Sequence, residues 1–170
     1  MKTWIAASLI LLAGSAIAQP HQHGHSPYVG LETRDIKALS EQQIADLRAG
    51  RGMGLALAAE LNGYPGPLHV LELAESLQVT PEQRLRVQQL FEAMKAEAIA
   101  AGEKLIASER ELDQGFAARN MSADRLTALM AQIGERQAAV REAHLRYHLA
   151  TAEVLSAEQK QRYSELRGYR

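Results

Sequence analysis

The chain has 170 residues, with 19 Lys and Arg against 20 Asp and Glu, a formal net charge of −1 and no cysteine. Near-neutrality excludes the basic stripe that a nucleic-acid partner requires and simple electrostatic adhesion to anionic lipid. The absence of thiols excludes disulfides, thiolate metal sites and cysteine nucleophiles.

Residues 1–18 read as a cleavable export signal. Lys2 supplies a short positive start, Ile5 to Leu12 is apolar but too short to span a bilayer, and Ala16-Ile17-Ala18 is a small-residue cleavage pattern. Cleavage predicts an exported, periplasmic chain of about 150 residues, the size of one domain, with no membrane span. Residues 19–35 follow as a flexible arm, polar and broken by Pro20 and Pro27, carrying His21, His23 and His25. Pro20 lacks the backbone N–H that a tight amino-terminal copper or nickel chelate uses. Any ion held by these three histidines is therefore expected to be labile.

Residues 36–170 read as a single all-helical domain. Three segments mark helix starts: Leu39-Ser40-Glu41-Gln42-Gln43, Val79-Thr80-Pro81-Glu82-Gln83 and Leu155-Ser156-Ala157-Glu158-Gln159. In each, the hydroxyl accepts from the N–H three residues on. The Gln at that position reaches back to the N-cap N–H, which closes a capping box.

The pattern from Ser40 to Leu61 is helical, but Gly50, Gly52 and Gly54 predict a kink, a break or a close approach of another helix backbone. Asn62 to Pro67 is a breaker cluster, with a left-handed cap expected at Asn62-Gly63. A short helix, Leu68 to Leu77, follows.

Residues 81–118 form one long pattern. Val87, Phe91, Met94, Ala98, Ala101, Leu105 and Leu112 repeat at 4-3 spacing, with Ser108 in the gap. Ser122 caps the next helix. There Leu126, Met130, Ile133, Val140, His144, Tyr147 and Val154 carry the same spacing, with Gln137 and Thr151 in the gaps. Two such helices joined by a short loop make an antiparallel hairpin with a coiled-coil-like seam. A last helix runs from Ser156 to about Leu166. The expected fold is all-α, four to five helices built on one long antiparallel hairpin.

Histidine is the residue type that carries chemistry. His144 and His148 are spaced i, i+4 and project from one side of a helix, a spacing that lets two imidazoles share an ion. Their segment, HLRYH, lacks the Glu that a zinc protease carries after its first His. His69 and Glu72, spaced i, i+3, start the short helix. If that helix folds onto the hairpin, His69, Glu72, His144 and His148 supply three nitrogens and a carboxylate, a set suited to Zn, Ni, Co or Cu as a divalent ion. No Gly-rich phosphate loop, nucleophile elbow or desolvated carboxylate pair is present in the sequence, so no enzyme is expected.

The three Leu/Val-Ser/Thr-x-x-Gln segments, the export signal and the hairpin between the last two segments together resemble the Spy/CpxP superfamily, with its CnrX-like metal sensors and ZraP-like chaperones. The resemblance implies a non-catalytic envelope-stress or heavy-metal-resistance protein. Such a protein sequesters or senses a metal and reports to a membrane-bound regulator. The alternative it implies is an ATP-independent holdase for unfolded client proteins, commonly a homodimer, using apolar positions such as Leu55, Leu57, Leu61, Leu90 and Met94. Two departures stand out: the expected cleavage removes the anchor that CnrX-type sensors keep, and the near-neutral chain lacks the basic cradle of Spy-type chaperones.

Overall fold

Four helices begin where a side chain satisfies a free N–H group at the helix start. The computed structural model describes residues 26–169. The signal segment and the arm histidines His21, His23 and His25 lie outside the described residues. Six α-helices and a short 3-10 turn at Leu31–Thr33 follow in order, with no strand among the described residues: α1 (Glu41–Arg48), α2 (Leu57–Glu60), α3 (Pro67–Glu72), α4 (Pro81–Ala117), α5 (Ala123–Val154) and α6 (Ala157–Leu166). Ser40, Thr80 and Ser156 each close the expected capping box with Gln43, Gln83 and Gln159, and Ser122 caps α5 through the Arg125 N–H.

The architecture is all-α and built on a long hairpin, as expected. At about 1.5 Å per residue, α4 runs for about 55 Å, with α5 packed along it. The helix count exceeds four or five because the glycine-rich segment separates α1 from α2. Gly50, Met53 and Gly54 all adopt left-handed backbone, with φ of 65°, 45° and 76°. The turn also lies directly on α4: a Cβ at Gly50 would stand 3.0 Å from the Lys95 carbonyl oxygen.

Two further details differ from the sequence pattern. The helix expected over 68–77 is α-helical only to Glu72; beyond it the chain tightens, with Ala74 N–H bonding Leu71, and turns at Gln78, φ 50°. On α5, Met130 is exposed and Leu129 is buried in its place. A straight helix repeats every 3.6 residues, so strict 3.5 spacing drifts off the seam.

The core lies in three clusters along the hairpin. Ile36 and Leu47 pack on Leu105, Ile106, Ile133 and Val140 towards its tip. Val70, Leu77, Val87, Leu155 and Tyr163 fill the open end, where α3 and α6 cover it. Leu90, Met94 and Tyr147 lie between.

At the open end the capping glutamines do a second job. Gln83 donates to the Gln159 side-chain oxygen and Gln159 donates back, both at 2.9 Å. Gln83 also donates to the Val154 carbonyl, an orphan at the end of α5, at 2.9 Å. Gln159 reaches the Leu77 carbonyl at 3.3 Å. The amide pair thus ties α4, α5, α6 and the chain before α4, whereas the Gln43 side-chain oxygen serves its own cap. Removing either amide is expected to cost about 1–2 kcal/mol. In a double-mutant cycle of Gln83→Ala and Gln159→Ala, read by urea denaturation, the coupling should be about 1 kcal/mol. Strict additivity would contradict the shared clamp.

Candidate metal centre

Glycine and short side chains in residues 49–67 leave space above the middle of the hairpin. A cavity of about 590 Å³ opens there, roofed by the glycine-rich turn and the start of α3, and floored by Phe91, Met94, His144 and His148.

His144 and His148 sit one turn apart on α5 and are both buried. Nδ1 of His148 lies 2.7 Å from the Tyr64 carbonyl oxygen. A carbonyl only accepts, so Nδ1 carries a proton, which in the neutral ring leaves the lone pair on Nε2. Gly66 lies against that edge of the ring, where a Cβ would stand 2.9 Å from Cε1 and 3.0 Å from Nε2 and would block it. Nε2 of His144 is buried with no hydrogen-bond partner. Burial holds its pKa below the usual imidazole range and the neighbouring His148 adds to that, while a hydrogen bond to the Arg51 backbone opposes them. A low pKa keeps the ring neutral, the form that binds metals.

His69 reaches the same cavity from α3. Its Nδ1 is 3.0 Å from the Glu72 carboxylate, which faces solvent and forms no part of the cavity wall. The structure therefore brings His69, His144 and His148 to one cavity and sets Glu72 behind His69, where a carboxylate orients an imidazole. The three rings stand apart: among the described residues, no three His, Cys, Asp or Glu side chains form a group able to hold an ion.

Glu60 is the residue that sequence reasoning missed. It is buried, and its Oε1 accepts from Tyr163 at 2.5 Å and Tyr169 at 3.2 Å and pairs with Arg167 at 3.4 Å. Its Oε2 accepts from Gly66 N–H at 3.3 Å and lies 3.7 Å from His148 Nδ1. Burial pushes the Tyr163 hydroxyl far above the ordinary phenol range, and Glu60 adds to it, so Tyr163 is a fixed donor. The signal in the sequence was a single acid in the apolar stretch Leu55 to Leu61, where an unpaired charge could not be buried.

The geometry suits ion binding in one respect and leaves it incomplete in another. The orphaned Nε2 of His144 and the imidazole of His148, hydrogen-bonded through Nδ1, fit two ligands of a transition metal. Further ligands must come from side chains that move or from donors outside the His, Cys, Asp and Glu set. Among the described residues no helix is long and apolar enough to cross a membrane.

Residues 54–162, more than half of the chain, match a protein-family model described as heavy-metal resistance. No curated protein and no solved structure matches.

Proposed function

The chain belongs to the heavy-metal resistance family, and on that premise we propose that it is a non-catalytic periplasmic protein that sequesters or senses a transition-metal ion at the His144–His148 pair. The observation that carries this reading is the buried, unpartnered Nε2 of His144 beside a second imidazole already oriented by a backbone carbonyl. Outer partners of that kind fix the tautomer and aim the lone pair. His69, backed by Glu72, lines the same cavity from the six-residue α3. Zn, Ni, Co and Cu are the ions that imidazole ligation suits, and the arm histidines His21, His23 and His25 would add only labile capture.

The test is a titration of the metal-free chain, compared with a His144→Gln/His148→Gln variant. The variant should lose at least about tenfold in affinity for the ion bound tightest, with unchanged helicity. Equal affinity in both proteins would remove the site.

A holdase reading has its own observation. Leu57, Leu61, Tyr64 and Leu68 are all 41–55 % exposed on one short stretch, an apolar edge of the kind that contacts partners. Of the other positions expected to serve a client, Leu55 is half-buried, and Leu90 and Met94 are buried in the core. A second copy of the chain, an unfolded client and a membrane-bound regulator are the partners this edge would meet.

A further inference from the structure

Two thioethers share the cavity with the histidine pair. Met94 projects from α4 and is buried beside Leu90 and Tyr147. Met53 stands on the glycine-rich turn, 41 % exposed, with φ at 45°. Left-handed backbone costs a residue with a Cβ about 1–2 kcal/mol, and a glycine there would avoid it, as Gly50 and Gly54 do. Strain of this kind is retained where the surroundings or the function demand that side chain. Here it sets a half-exposed thioether side chain on the wall of a cavity that Met94, His144 and His148 also line.

The charges around the cavity bear on which ion it takes. Glu60 is the carboxylate on its wall, and its oxygens are already engaged by Tyr163, Tyr169, Arg167 and Gly66. Arg51, Lys95 and Arg167 line the same space. Arg51 pairs with Asp46 at 2.8 Å and Arg167 with Glu60 at 3.4 Å, so Lys95 is the cation of the wall without an ion pair among the described residues, and it repels a dication twice as strongly as a monocation. The donors that remain are the imidazoles of His144 and His148 and two neutral thioethers, His69 being engaged by Glu72. Thioethers select soft ions, Cu(I) among them, over harder divalent ions.

We propose that the cavity binds a soft monovalent ion, Cu(I) or its analogue Ag(I), through Nε2 of His144 and His148 and the sulfurs of Met94 and Met53, with Met53 closing the mouth. The proposal rests on the metal-binding reading above and narrows it to an ion class. It also accounts for the absence of a third imidazole or carboxylate in ligating position among the described residues.

The test uses the full chain under anaerobic conditions. Affinities for Cu(I), kept reduced, and for Ag(I) are measured by competition with a chelator, beside those for Zn(II) and Ni(II). X-ray absorption at the copper edge then identifies the scatterers on the unmutated protein. Sulfur and nitrogen in the copper shell are expected. A Met53→Leu/Met94→Leu variant, which conserves volume, should lose at least about tenfold in Cu(I) and Ag(I) affinity with its Zn(II) and Ni(II) affinities unchanged. A copper shell without sulfur, or tighter binding of Zn(II) or Ni(II), would overturn the soft-ion assignment and leave the metal-binding reading standing. Failure of every ion to bind would overturn both.

Discussion

Replacing Glu60 with Ala is expected to destabilise the chain by about 3 kcal/mol, because removing one member of a buried polar cluster strands the others. Tyr163 is fully buried and donates its hydroxyl to Glu60. Without that acceptor, a buried donor is left unpaired at a cost of about 1–3 kcal/mol. The Gly66 N–H, Tyr169 and Arg167 lose the same partner. These groups come from the turn before α3, from α6 and from the chain after it, so the damage extends across the open end of the hairpin. Glu60→Gln keeps an acceptor of similar shape and should cost about 1 kcal/mol. Urea denaturation of both variants checks this. A loss below about 1 kcal/mol for the Ala variant would show that Glu60 is not the hub of this cluster.

The second large effect is a difference in sign between two glycines in the hairpin. A Cβ at Gly102 on α4 would stand 2.8 Å from the Leu47 carbonyl oxygen and 3.2 Å from Leu47 Cβ. The contact is with α1 backbone, which cannot rotate away, and Leu47 belongs to the Ile36–Leu105–Ile133 core. Overpacking of this kind costs about 1–3 kcal/mol, more than the roughly 1 kcal/mol that Ala gains over Gly in a helix. Gly134 on α5 has nothing within 4 Å of its Cβ position, so the helix preference stands alone there. Gly102→Ala should therefore destabilise and Gly134→Ala stabilise, with a swing of about 1–3 kcal/mol between them in urea denaturation. Equal signs would contradict the close packing of α1 on α4.

The helix frame was legible because its signals are local. Ser40, Thr80, Ser122 and Ser156 mark starts through bonds spanning three residues. The glycines at 50–54 mark the break through their own backbone angles. The His144–His148 pair was legible for the same reason, since four residues on a helix set its geometry. What sequence reading missed depends on distant partners. Glu60 meets Tyr163 and Tyr169 more than a hundred residues later. The cross-link between Gln83 and Gln159 needs α4 and α6 to meet. Glu72, read as a ligand beside His69, stands behind that ring because the short helix turns its carboxylate to solvent. Met53 and Met94 are ordinary apolar residues until the fold sets both at one cavity.

Diffraction from crystals of the metal-loaded chain, recorded at the ion's absorption edge, tests the central claim most directly. The account predicts an anomalous peak within about 2.5 Å of Nε2 on both His144 and His148, inside the cavity between α3 and the hairpin. A peak confined to His69 and Glu72 at the surface or to the arm histidines, or no peak at all, would contradict it.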